Sequence, residues 1–277
     1  MEMGITTILG IIVGFGAIII GFLMDHGQLS ALVSISPLMI VLGGTIGALM
    51  ISFSLKDVTK IPKMFASACK SPKRSLNTSL ELLVSLATSV RREGILCLER
   101  LMGDGTIDKK QDPLLQRGIM LLLDGLDKQA LKGVLDSEVY IFEQLKKREI
   151  SVFEQAGGFS PTMGIIGTVL GLINVLANMS TPEELAKSIA VAFIATLYGI
   201  AFANLLWLPL ANKLKLQMKI QSIEKELIIE GILSIHEGEN PTIIRERLKP
   251  YVAFEMKAVK EAKEKKGKNI AAKEEGL

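Results

Sequence analysis

Two hydroxyls, Thr168 and Thr196, sit in apolar, glycine-rich stretches, each on a stripe of small residues. On a helix of about 3.6 residues per turn, Pro161, Gly164, Thr168, Gly171 and Val175 share one face, as do Ser188, Ala192, Thr196, Gly199 and Ala203. Tyr198 adds a third hydroxyl beside the second stripe. Such groups offer oxygen ligands to a cation, or hydrogen-bond partners to water and a neighbouring helix, but none carries a charge near neutral pH. Ion and proton pathways through a membrane normally depend on an intramembrane Asp, Glu, His or Lys. These stretches hold none between their ends. Either the chain conducts nothing, or a second chain supplies the titratable group and these faces form the wall around it.

The elements that carry the stripes follow from composition. The chain has 277 residues, of which 49% are hydrophobic and 22% charged, so the two kinds must be segregated along it. Met1 to Leu55 contains no Lys or Arg, and Gly157 to Asn212 contains only Lys187. The remaining basic residues fall in two blocks, between Lys56 and Arg148 and between Lys213 and Lys273. Four apolar stretches, near 4–24, 35–55, 158–178 and 188–210, each approach the roughly 20 residues that a spanning helix needs. Without water in the hydrocarbon, backbone groups must pair inside each segment, so these short spans are helices. The first lacks the basic flank and small-residue cleavage site of a secretory signal.

Basic residues near span ends mark the cytoplasmic side, which places both basic blocks and both termini inside. The two outer connections are short. Cys69 and Cys97 then lie in the reducing compartment, where a disulfide is not expected, and two separated cysteines make no metal site. His26 and His236 fall on opposite sides of the membrane. No metal cluster, Ser/His/Asp arrangement, phosphate-cradling loop or nucleic-acid signal stands out, so no cofactor, no catalytic residue and no nucleic-acid partner is expected.

About 100 residues separate the two pairs of spans. Leu80, Leu83, Ala87, Val90, Ile95, Leu98 and Leu101 recur at helical steps, and further helices are expected over 112–123, 128–135 and 137–155, the last feeding the third span. Gly103 to Gly105 reads as a turn. Ser160 followed by Pro161, and Thr181 followed by Pro182 and Glu184, have the spacing of helix starts. Gly10 with Gly14, and Gly43 with Gly47, suit ordinary close contact between membrane helices. After the fourth span, 213–237 reads as an amphipathic helix and 239–250 as a turn and short helix. The Lys- and Glu-rich stretch from Lys257 has too little apolar content to order itself. The expected fold is thus an all-α membrane protein. Two hairpins (1–55 and 157–212) flank a helical cytoplasmic domain (56–156), followed by a helical extension (213–256) and a mobile tail (257–277).

GFSPTMGIIGTVLGLI (158–173) and AVAFIATLYGIAFANLLWLPLANKL (190–214) resemble the last two membrane helices of flagellar-motor stator A subunits. These form the MotA/PomA family of the wider MotA/TolQ/ExbB group. VRREGILCLE (90–99) and the order of hairpin, cytoplasmic segment, hairpin and tail carry the same likeness. The resemblance implies a homo-oligomeric ring, of five A chains, around two membrane helices of a MotB-like B subunit, each carrying an essential Asp. It implies coupling of H⁺ or Na⁺ flow across the bacterial inner membrane to torque on a FliG-like rotor protein.

By the same resemblance, Pro161 and Pro209 are the prolines near the cytoplasmic ends of the inner helices, expected at similar depth. Thr168 and Thr196 are the ion-pathway threonines, and Gly164, Gly171, Tyr198 and Gly199 belong to the pore face with them, a smooth surface past which the B helices slide. Arg91 and Glu99 are the rotor-contact charges. They are eight residues apart, hence near one face and roughly 12 Å along the axis of a helix that Gly94 does not interrupt. A TolQ- or ExbB-like subunit is the nearest alternative, but the apolar run from Pro37 to Leu55 completes a first hairpin that such subunits usually lack. A passive scaffold whose glycines serve packing alone is the third reading.

Overall fold

A computed structural model describes residues 2–69, 75–105, 107, 112–177 and 182–254. The expected Thr181 cap and the tail beyond 254 lie outside the described residues. Among those residues there are helices and turns but no strand. The helices are α1 (Glu2–Met24), α2 (Leu29–Leu32), α3 (Ile35–Ser52), α4 (Leu55–Val58), α5 (Ile61–Ala68), α6 (Leu76–Glu93), α7 (Cys97–Gly103), α8 (Pro113–Leu123), α9 (Lys128–Ala177), α10 (Pro182–Phe202) and α11 (Leu208–His236). A π-helical segment, Ala203–Trp207, joins the last two, and a further helix covers 241–254. Four of these runs are long and apolar enough to cross a membrane: α1, α3, α9, and α10 continued into α11.

The chain divides into two compact units. One comprises Met1–Ser71 with Leu145–Gln217, the other Pro72–Gln144 with Met218–Leu277.

In the first unit α3 packs along α10 and α1 meets the π segment. Phe15 and Phe202 stack tilted at 6.3 Å, and Gly14 lies against Leu205, where an added Cβ would come within 2.9 Å of the leucine methyl. Of the expected glycine pairs only Gly14 is used in this way. Gly10, Gly43 and Gly47 face open space within the chain, whereas Gly44, in contact with Met163, makes the close approach on α3. Periodicity identifies which glycines share a face, but not which of two neighbouring faces has a partner. Where these helices leave the apolar region, charges pair: Arg148 donates to Asp57 at 2.7 Å, and Lys215 bridges Glu154.

The second unit has a leucine-rich core built from the apolar faces of α6, α8, α11 and the start of α9. Gly231 seats Leu83, and Gly118 lies against Ile232. Helix starts are conventional. The Ser75 hydroxyl accepts from the Asn77 amide at 3.3 Å, Asp112 from Leu115 at 3.1 Å with Pro113 in the first turn, and Asp127 from Gln129 and Ala130, both at 2.9 Å. Two expected helices, 128–135 and 137–155, are parts of the single helix α9, because Asp136 and Ser137 face outward and neither Gly nor Pro interrupts the ladder between them.

The terminal helix is fastened to α6 by Arg245, whose guanidinium grips both carboxylate oxygens of Glu81, Nη2 to Oε2 at 2.6 Å. The Arg245 bonds hold the Glu81 carboxyl below its ordinary pKa. A depressed carboxylate contributes its stabilisation above the unfolded-state pKa and loses it as pH falls through the folded value. Amide exchange across 241–254 is therefore expected to be protected at neutral pH and to quicken on acidification through the carboxylate range. In Glu81→Gln it should be fast at both pH values. Identical acid dependence in that variant would show that another group fastens the helix.

Candidate functional site

The two stripes face each other inside the second hairpin. Gly164 and Gly199 are buried against one another's helix. A Cβ on Gly164 would sit 2.8 Å from the Ala195 carbonyl oxygen, and one on Gly199 would sit 2.6 Å from that of Ser160 and 3.2 Å from the Pro161 Cα. Gly171 touches Ala192 in the same seam, and Gly167, from the adjoining row, touches Ala195. Backbones this close leave no room for a methyl group, which is the reason for glycine here.

This corrects the expectation of an open sliding surface at Gly164, Thr168 and Gly171: the stripe is the internal contact of α9 with α10. The faces left uncovered are larger apolar ones instead, with Ile165, Val169 and Ile173 on α9 and Phe193 and Ile200 on α10 all exposed. Sequence periodicity finds both stripes, but two complementary small faces in one hairpin satisfy each other first.

Within the seam the threonines meet. Thr168 Oγ1 and Thr196 Oγ1 are 2.5 Å apart, and Thr168 Oγ1 also lies 3.0 Å from the Ala192 carbonyl oxygen and 3.2 Å from that of Gly164. Each hydroxyl has one proton. When Thr196 donates to Thr168, the Thr168 proton goes to one of the two carbonyls. The half-buried cluster therefore gathers four oxygens and no charge, suited to passing a hydrogen bond or sharing a cation between helices.

Tyr198 does not join them. Its hydroxyl donates to the Leu32 carbonyl and accepts from the Ser34 amide at 3.2 Å, tying α10 to the connection between α1 and α3.

Pro161 lies inside α9, not at a helix start. Its ring withdraws the donor that would reach the Gly157 carbonyl. Leu208 packs against Gly157 at that level. Ser160, expected as a cap, is fully buried with its hydroxyl unpartnered.

Pro209 disturbs the other helix differently. Just before it, the Leu208 amide reaches back five residues to the Ala203 carbonyl, so the ladder has widened into the π segment where a proline ring would otherwise press on the preceding turn. The antiparallel register sets Gly199 beside Pro161, while Trp207 stacks on Phe153 at 6.0 Å. Pro209 follows Gly199 by ten residues and is consequently nearly three turns, roughly 15 Å, further toward the α11 side than Pro161. The expected common depth is not found.

Arg91 and Glu99 occupy separate helices. Gly94 ends α6 in a conformation with φ of 82°, so the two charges flank a corner instead of sharing one helical face. Arg91 to Leu96 are all exposed, Leu96 to 71%, which the apolar periodicity through Ile95 had not suggested. Glu93 and Arg100 close the corner with an ion pair at 2.5 Å. Exposed pairs of this kind contribute about 0.2–1 kcal/mol. Arg100→Ala is expected to speed amide exchange at 94–97 and modestly slow swimming, and the exchanged pair Glu93→Arg with Arg100→Glu to restore both. Unchanged exchange in the single variant would remove the pair's positioning role.

Among the described residues no group of three His, Cys, Asp or Glu side chains is placed to hold a metal.

The Motility protein A N-terminal family matches residues 8–94, and the MotA/TolQ/ExbB proton channel family matches residues 106–227. The chain is 34% identical over 271 residues to motility protein A of Bacillus subtilis, covering 98% of both chains. It is 30% identical to chemotaxis protein PomA of Vibrio alginolyticus, covering 90% of this chain and 96% of that one. Among solved structures, the flagellar MotAB stator complex from Bacillus subtilis is similar with a TM-score of 0.80 and 35% identity, over 87% of this chain and 93% of that one. The C. jejuni MotAB structure gives a TM-score of 0.83 at 28% identity, over 91% and 96%. The N-terminal match takes in the first hairpin from residue 8 onward. The chain thus belongs to the MotA/TolQ/ExbB proton channel family, on its flagellar-stator A-subunit branch.

Proposed function

We propose that this chain forms a ring of five copies around two membrane helices of a MotB-like B subunit, and that ion flow through the complex turns the ring and drives a FliG-like rotor protein. The observation that carries this reading is the absence of any Asp, Glu, His, Lys or Arg between the interfaces of the four spans, combined with similarity to a chain solved in a MotAB complex. The missing carboxylate belongs to the partner. An ionised carboxylate against aliphatic helices is costly, while its protonated or cation-bound form is tolerated, so occupancy selects which ring face it meets. Each elementary charge crossing the membrane releases about 2.3 kcal/mol per 100 mV.

The ring's part is to present the exposed apolar faces of α9 and α10 to the partner, with the Thr168–Thr196 oxygens as a polar station between them. Both termini and the Arg91–Glu99 corner lie in the cytoplasm of this inner-membrane protein, where that corner meets the rotor. The transported ion is H⁺ or Na⁺. Swimming of a strain carrying this chain and its partner, followed through sodium removal across a pH series, separates the two. A Na⁺-driven complex stops without sodium, and an H⁺-driven one responds to pH alone. In both cases Thr168→Val, nearly isosteric but lacking the oxygen, is expected to cut speed severalfold with assembly intact. Full speed in that variant would take the threonine pair out of the pathway.

A further inference from the structure

Asn204 is the polar exception on the uncovered face of the fourth span. It lies in the π segment, nine residues before Lys213 and eight beyond Thr196, on the order of 12 Å along the helix from the threonine pair. Its neighbours turn elsewhere: Ala203 and Trp207 are buried, and Leu205 packs against Gly14 of α1. Asn204 itself is exposed, on the stripe of Phe193, Ile200 and Leu208, and forms one rim of a cavity beside α1. Among residues 188–207 it is the one exposed side chain able to donate a hydrogen bond.

A carboxamide has two donor hydrogens and an acceptor oxygen. One hydrogen goes back to the Ile200 carbonyl at 3.0 Å, which holds the group in place while its second hydrogen and its oxygen have no partner among the described residues. In hydrocarbon such groups find their partners on another helix, because no water is there to take them up.

We infer that Asn204 receives the carboxylate of the B partner's helix once its ion has left, donating the free amide hydrogen to a carboxylate oxygen. The inference rests on the ring-and-partner reading above. An ionised carboxylate is costly against Phe193 and Ile200, and a hydrogen bond to the charged form offsets that cost. The carboxamide does this without a charge of its own, so it lets the group go when a proton or cation returns. A second copy of the chain would use the amide as a fixed contact instead, but the surface that carries Asn204 continues the Phe193 and Ile200 face that meets the partner.

The test uses the full complex in swimming cells, with speed followed against the concentration of the driving ion. Asn204→Leu, similar in size but without the amide, is expected to swim more slowly and to reach half its top speed at an ion concentration about tenfold lower, the weight of one hydrogen bond to a charged group. The sign follows because a carboxylate that has lost this donor holds its ion more tightly. Asn204→Gln should keep both values near wild type. A purely structural asparagine would cost speed without moving that concentration. As a second readout, Asn204→Cys should form a disulfide with a cysteine placed one turn from the partner's carboxylate. An unmoved half-speed concentration in Asn204→Leu with the partner still bound, or cross-linking of Asn204→Cys to a second copy of the chain instead, would overturn the assignment. A wild-type chain that purifies without any partner would overturn the reading on which it rests.

Discussion

Gly199→Val is expected to abolish swimming and to leave almost no chain co-purifying with its B partner, with Gly199→Ala intermediate. The added Cβ would fall 2.6 Å from the Ser160 carbonyl oxygen, 3.1 Å from the Gly164 Cα and 3.2 Å from the Pro161 Cα, all of them backbone atoms. A side chain can rotate away from such a collision; a helix backbone must move as a body. Overpacking costs about 1–3 kcal/mol where side chains can adjust, so the rigid seam should reach or exceed the upper figure for valine. Parting the helices also separates Gly171 from Ala192 and pulls Thr168 from Thr196, so packing and the oxygen cluster fail together. Wild-type assembly and swimming in Gly199→Val would show that the second hairpin is not closed by this seam.

Reversing Arg91 and Glu99 together is expected to remove most of the torque while leaving membrane insertion and partner binding intact. Both side chains are exposed at the Gly94 corner, and neither supports the core of the cytoplasmic unit, which lies beneath on Leu83, Leu86 and Leu98. Complementary charges across a contact set its encounter rate and orientation, so inverting both repels the partner surface from either side. Rotation speed under load, read from a tethered bead, should fall by an order of magnitude or more, and a rotor protein with its own facing charges reversed should recover it. A doubly reversed chain that drives the bead at wild-type speed would remove these residues from the rotor contact.

Much of the fold was legible because its signals are strong. Apolar runs of membrane length, the segregation of Lys and Arg, and leucines at helical steps each point to a helix whatever surrounds it. Less was legible at the site. The glycine and threonine stripes were visible as faces, but deciding whether a face meets its own hairpin or a partner needs the register, which the Gly164 and Gly199 contacts supply. Pro161 illustrates the same gap, since a Ser-Pro pair has one spacing at a helix start and inside a helix, and the long continuous α9 decides between them. At Gly94 the outcome turned on a single φ angle. The hydrogen bond from Lys213 to Thr7 was not visible at all, for its partners stand 206 positions apart.

The central claim is that this polypeptide supplies the ring while a different chain supplies the ionisable group. Native mass spectrometry of the complex released from the membrane after co-expression with its B partner addresses that claim directly. The predicted mass is that of five copies of this chain with two of the partner. A stable monomer of this chain without any partner would contradict it.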